Sequence, residues 1–221
     1  MQFREEMLHC YLVGGTQDVN HDPKRFLNDV SIAMDSGITA FQYREKGTSQ
    51  LNQERRVQLG LKLRRLADQH HIPLIVDDDV ELAQAINADG IHVGQKDQRV
   101  EQVLAAVGNT MFVGYSCNQP AQIKHANQLP VAYVGSGPIF PTSSKNDADP
   151  AMGLEKLHEL VTISTHPIVA IGGITEANMA QTLAAGVAGL SMISMILQSA
   201  DIQKTVQHIN SLYYINQVKF L

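Results

Sequence analysis

The sequence predicts an α/β protein built as a single-domain (β/α)8 TIM barrel spanning residues 1–221. Three observations carry this. Short apolar runs alternate with stretches of helical periodicity eight times, the repeats are evenly spaced, and no GxGxxG follows the first run as it would in a dinucleotide-binding open sheet. Parallel strands joined by crossover helices follow from the alternation, and the count of eight favours closure.

The strands are expected at residues 11–14, 38–43, 74–76, 90–93, 112–115, 131–135, 168–171 and 189–193. After the first, Asp22 and Pro23 read as an N-cap with proline at the first helical position, and Gly37 stands where that helix should stop. Leu59, Leu63 and Leu66 make the apolar face of the next helix, which His70 and His71 close. Pro73 precedes the third strand, and an aspartate caps a helix starting near Val80. Val100, Val103, Leu104 and Val107 give the clearest helical spacing, and Ile202, Val206 and Ile209 mark the last helix. No proline- or glycine-rich linker divides the chain.

Composition narrows the function. The net charge of −5 opposes general nucleic-acid binding, which needs a basic face. No apolar run approaches the roughly 18 residues that span a bilayer. The opening MQFREEMLHC lacks a signal peptide's apolar core, so a cytoplasmic protein is expected. Cys10 and Cys117 form no CxxC pair and read as free thiols, Cys117 as a small buried hydrophobe. The partners expected are small molecules, and a homo-oligomer is compatible with everything read so far.

In such barrels the site lies at the carboxyl ends of the strands. After strand two, QYREKG places Gln42, Arg44 and Lys46 at alternate positions, and so on one side. Two inward cations need a ligand or an acid to neutralise them. Strand three ends in Asp77, Asp78 and Asp79, and strand four in GQKD with Gln95 and Asp97. Carboxylates from adjacent strand ends could share a hard divalent cation, or could simply cap helices and turns. Strand five ends in Ser116. Strand six runs into GSGPIFPTSSK, where Thr142, Ser143 and Ser144 offer hydroxyl donors and Lys145 a mobile charge. Gly172 and Gly173 after strand seven permit close backbone approach, and Ser194 opens a helix after strand eight. His92, within a strand and without an adjacent nucleophile, reads as a hydrogen-bonded core histidine. Met192 and Met195 read as packing.

In order along the chain, YLVG, QYREK, DDDVELA, GIHVGQKD, GYS, GSGPIFPTSSK, AIGGIT and GLSMIS resemble the thiamine phosphate synthase family. The resemblance implies a transferase that joins hydroxymethylpyrimidine diphosphate to hydroxyethylthiazole phosphate and releases pyrophosphate by a dissociative mechanism. It implies that Gln42, Arg44, Lys46, Ser116 and Lys145 hold the diphosphate, within a binding block that includes Tyr43 and Glu45. Arg44, Lys46, Ser116 and Lys145 would be catalytic. Asp78 and Asp97 would carry Mg2+, and Thr142, Ser143, Ser144, Gly173, Ile193 and Ser194 would receive the thiazole phosphate. Two positions depart from the family pattern. Asp77 stands where an asparagine is usual and is expected to reach the metal cluster indirectly; Ser144 replaces a threonine and keeps the hydroxyl. The alternative is a thiazole tautomerase of the same family, expected to carry a histidine where this chain has Asn118 and to lack the metal acids.

Overall fold

A computed structural model of the chain describes residues 1–142, 144 and 150–218, with side chains described to residue 212. Eight parallel strands close into a barrel in sequence order: β1 Cys10–Gly14, β2 Ala40–Tyr43, β3 Leu74–Asp77, β4 Gly90–Val93, β5 Phe112–Ser116, β6 Tyr133–Ser136, β7 Ile168–Ile171 and β8 Gly189–Met192. β8 returns to β1 through the register Cys10↔Leu190, Tyr11↔Ser191 and Leu12↔Met192, which completes the closure. The α-helices among the described residues are α1 Pro23–Asp35, α2 Gln53–His70, α3 Val80–Ala85, α4 Val100–Val107, α5 Pro120–Ala126, α6 Gly153–Ile163, α7 Met179–Ala184, α8 Ser194–Leu197 and α9 Ile202–Val218, with short 3-10 turns at Glu5–Leu8 and Thr16–Val19. None of them is long and apolar enough to cross a membrane.

The strands match the apolar runs with small shifts. The second begins at Ala40 rather than at residue 38, because Ile38 closes the end of α1 by donating its N–H to Ala33 O at 3.2 Å. The sixth is displaced to Tyr133–Ser136. Asp22 caps α1 as expected, accepting from the Lys24 and Arg25 N–H groups.

Strand residues are buried on both faces, as a parallel barrel wrapped by helices requires. Aromatic rings fill the interior where glycine makes room. A Cβ on Gly114 would lie 2.2 Å from the Tyr133 ring, and one on Gly90 would lie 2.4 Å from the Phe112 ring. Phe3 stacks on Tyr133 with centroids 5.7 Å apart, against the end where the strands begin.

That same end is stapled by Asp89. Its Oδ2 accepts from Arg64 at 2.6 Å and from the Leu74 N–H at 2.9 Å. Burial pushes this carboxyl up, but the Arg64 and Leu74 hydrogen bonds outweigh it and hold it below its ordinary range. A carboxyl depressed in the fold contributes stability above its unfolded pKa, about 3.9, and loses it as pH falls through the folded value. Asp89→Asn is therefore expected to lower stability at neutral pH and to flatten its decline below about pH 4. Unfolding midpoints across that range check this, and an unchanged slope would remove Asp89 from the acid transition.

Candidate active site

The strand ends open into a cavity of about 330 Å³, a size that suits small-molecule ligands. Arg44, Lys46, Asp77, Asp97, Ser116, Thr142, Ser144, Gly173, Ile193 and Ser194, all expected at the site, line it together. Ser143 and Lys145 lie outside the described residues.

The three consecutive aspartates diverge because the chain turns sharply at the end of β3. Asp78 has φ 60°, a left-handed conformation that aspartate tolerates better than most residues, and its N–H is held by His92 O at 2.9 Å. Asp77, the last strand residue, points to Arg44, with Oδ2 3.1 Å from Nε. Asp78 Oδ2 meets Lys46 Nζ. Asp79 caps α3, accepting from the Leu82 N–H at 2.8 Å. Asp77 thus takes an ion pair with Arg44, a cation from the adjacent strand end.

Lys46 also reaches Asp97 Oδ1 at 2.9 Å, so one ammonium bridges acids from the turn after β3 and from the loop after β4. Burial alone would lower Lys46, but its hydrogen bonds to Asp78 and Asp97 outweigh this and raise it. Burial, and then the neighbouring Asp77 charge, push Asp78 up to about 7. Its other oxygen, Oδ1, is buried without a hydrogen-bond partner. A carboxylate so raised and half-unsatisfied is short of positive charge. Asp78 itself stands behind Lys46 rather than on the cavity wall.

Charge bookkeeping points the same way. Among the described residues, Arg44, Lys46 and Lys96 bring cations to the cavity, and Asp77, Asp78 and Asp97 balance them. Within this described set Arg44 and Lys46 each have an acid close by. No group of three His, Cys, Asp or Glu side chains that could hold a metal occurs among the described residues. The two acids that flank Lys46, with the orphan oxygen of Asp78, instead fit a hard cation such as Mg2+, which takes one or two protein carboxylates and completes its shell with water and ligand oxygens.

The opposite wall is built from backbone and hydroxyl groups. Gly172 and Gly173 have φ 96° and 66°, and a Cβ on Gly173 would lie 2.7 Å from the carbonyl oxygens of both Phe140 and Pro141. The loop after β6 is laid over the end of β7 by Ile139 N–H to Ile171 O at 3.0 Å and Phe140 N–H to Gly172 O at 3.1 Å. Ser144 Oγ meets Ser194 Oγ at 3.1 Å, joining this loop to the start of α8.

Some expected residues turn away. Tyr43 and Glu45 alternate outward: the Tyr43 hydroxyl donates to Arg56 O at 3.3 Å, and Glu45 accepts from the Thr16 N–H at 2.7 Å and from the Thr16 and Ser49 hydroxyls. Gln42 points inward but one layer below the cavity, donating to the Tyr11 hydroxyl at 2.8 Å. Conversely, His92, Lys96, Asn118, Met192 and Met195 line the cavity. Lys96 adjoins Asp97 in GQKD, the one signal that could have marked it. His92 is hydrogen-bonded as expected, yet at the cavity wall rather than deep in the core.

A family model described as thiamine monophosphate synthase matches residues 10–196. A thiamine-phosphate synthase of Limosilactobacillus fermentum is 58% identical over 213 residues, covering 96% of this chain and 100% of that protein. A thiamine-phosphate synthase of Limosilactobacillus reuteri is 56% identical over 214 residues, with coverage of 96% and 100%. Among solved structures, a thiamine phosphate pyrophosphorylase from Pyrococcus furiosus superposes with TM-score 0.84 at 27% identity, covering 96% of this chain and 98% of that one. An orotidine 5'-phosphate decarboxylase from Pyrococcus horikoshii, 14% identical with TM-score 0.65 over 92% and 99% of the two chains, shares the fold alone.

Proposed function

Since the chain belongs to the thiamine monophosphate synthase family, and so to the transferases that form thiamine phosphate, we propose that its cavity joins hydroxymethylpyrimidine diphosphate to hydroxyethylthiazole phosphate and releases pyrophosphate with the help of Mg2+. The observation that carries this is one cavity with two unlike polar walls. Among the described residues, one wall has paired cations and acids; the other has glycine backbone and hydroxyls.

When bound, Mg2+ would supply positive charge beside the diphosphate, with Asp78 and Asp97 as its protein ligands. Arg44 and Lys46 orient the diphosphate and meet the charge that grows on it as the C–O bond breaks. That charge is largest in the transition state, where fixed donors act most strongly. Ser116 adds a hydroxyl on the same side. Thr142, Ser144, Gly173, Ile193 and Ser194 hold the thiazole phosphate, so that the thiazole nitrogen faces the pyrimidine methylene carbon and captures the cation left there. No general base is required. A cytoplasmic small-molecule enzyme fits this chemistry.

The test is incubation of purified protein with both phosphorylated substrates and Mg2+. Thiamine phosphate and pyrophosphate should appear in equal amounts, and chelation should stop both. Absence of product at saturating substrate and metal would reject the reading, and a metal-independent reaction of a thiazole phosphate alone would favour the tautomerase. Asp97→Asn keeps the shape of the side chain but removes the charge that makes it a hard-cation ligand. It is expected to raise the Mg2+ concentration for half-maximal rate by about tenfold or more, on the scale of charge-assisted contacts. An unchanged titration would take Asp97 out of the metal site.

A further inference from the structure

Beneath the cavity, five inward side chains from five strands form one continuous hydrogen-bonded chain. Gln42 Nε2 donates to Tyr11 OH at 2.8 Å, and Tyr11 OH meets Tyr133 OH at 2.8 Å. Tyr133 OH meets His92 Nδ1 at 3.1 Å, and His92 Nε2 meets Ser116 Oγ at 2.8 Å. Only the two cavity-facing members, His92 and Ser116, touch the site. We propose that this chain is a polarity relay in which the Gln42 amide, without reaching the cavity, fixes the Ser116 hydroxyl as a donor into it. The proposal rests on the diphosphate-binding role given to Ser116 above.

Proton counting sets the direction. Both phenols are fully enclosed and burial raises both, so each carries one hydrogen. The Gln42 nitrogen has hydrogens to give and no lone pair to offer, so the Tyr11 oxygen must accept. The Tyr11 hydrogen then goes to Tyr133, and the Tyr133 hydrogen to His92 Nδ1. The imidazole proton is left on Nε2 and is donated to Ser116 Oγ. The Ser116 oxygen accepts from below, and its own hydrogen is released toward the cavity. The reverse order starts with Ser116 donating to His92 and ends with the Tyr11 oxygen accepting from both Tyr133 and Gln42, so that neither of these two partners takes the Tyr11 hydrogen. A buried unmade hydrogen bond opposes that order.

The rings cannot swing away from this arrangement. His92 stacks on Tyr133 with centroids 5.5 Å apart at 30°. A Cβ on Gly135 would stand 2.9 Å from His92 Cε1, and one on Gly114 would stand 2.2 Å from the Tyr133 ring. The glycines therefore fit the strands around these two rings. The functional consequence concerns an anion that only accepts hydrogen bonds. A serine obliged to donate to histidine would present lone pairs to phosphate oxygens, whereas one that accepts from histidine presents its hydrogen. Gln42, Tyr11, Tyr133 and His92 are positioning residues in this scheme.

The decisive measurement is the tautomer of His92 in the unaltered, ligand-free protein by 15N–1H correlation NMR. The Nε2–H form is expected; the Nδ1–H form or an imidazolium near neutral pH overturns the relay. This reading needs no substrate, so it stands or falls apart from the assignment of the reaction. A second arm uses Tyr133→Phe, which keeps the ring and cuts the chain. Binding of inorganic pyrophosphate with Mg2+ should weaken by about three- to tenfold, the scale of one hydrogen bond. In a Ser116→Ala background the same change should cost nothing further. Additive losses in the double variant would show that Tyr133 acts on packing instead and would overturn the proposal.

Discussion

Arg44→Ala is expected to lower unfolding stability by about 3–5 kcal/mol and turnover by on the order of 10²-fold or more. Arg44 and Asp77 keep side-chain exposures of only 8% and 11%, so each helps to compensate the other for leaving water. Removing the guanidinium leaves Asp77 buried beside Asp78, and two neighbouring carboxylates then oppose each other. The backbone should hold, because the Arg44 N–H donates to Gly14 O at 2.9 Å and Gln17 Nε2 donates to Arg44 O at 2.7 Å, neither through the side chain. The double variant Arg44→Ala/Asp77→Ala separates the two effects. It should recover most of the stability, since no uncompensated charge remains, and none of the turnover. Denaturant unfolding of both variants checks this. An Arg44→Ala protein as stable as the original would mean that Asp77 is compensated elsewhere.

The second large effect is expected at Lys46. Lys46→Ala should reduce turnover by on the order of 10²-fold or more, with a smaller change in the KM for the pyrimidine diphosphate, because in the proposed reaction the ammonium meets charge that develops as the leaving group departs. Stability should change less than in Arg44→Ala, since the lysine end of the pair is 39% exposed and partly exposed ion pairs contribute less than buried ones. Asp78 and Asp97 lose their shared counterion, and Asp78, already pushed up to about 7, should rise further. Lys46→Arg keeps the charge and should recover part of the rate. A Lys46→Ala enzyme with ordinary kcat and raised KM would make the lysine a ground-state binding group only.

How much of this was legible in the residues depends on which physical rule governed each position. The barrel follows from eight apolar runs and helical spacing between them, because burial on both faces leaves a clear pattern in a parallel strand. Alternation along 42–46 separated Gln42, Arg44 and Lys46 from Tyr43 and Glu45. It does not report depth, so the layer in which Gln42 lies became visible only with the barrel closed. Asp79 as a cap was readable from its place before Val80. The divergence of Asp77 and Asp78 was not, because it depends on a left-handed turn that three identical side chains cannot announce. Tyr11 and Tyr133 look like ordinary strand hydrophobes in sequence. Their hydroxyls matter only because closure brings β1 and β6 across one interior. Lys96 is hard to read for the opposite reason, since a lysine in a polar turn looks like a solvated charge.

The central claim is that one cavity holds two anions at separate walls with separate residues. It is tested most directly by measuring KM for each substrate in Asp97→Asn and in Ser194→Ala, at saturating concentrations of the other substrate. Asp97→Asn should raise the KM for the pyrimidine diphosphate and leave that for the thiazole phosphate within about twofold, while Ser194→Ala should do the reverse, each by several-fold for the loss of one polar contact. Equal shifts of both constants in both variants would contradict the division of the cavity into two sites.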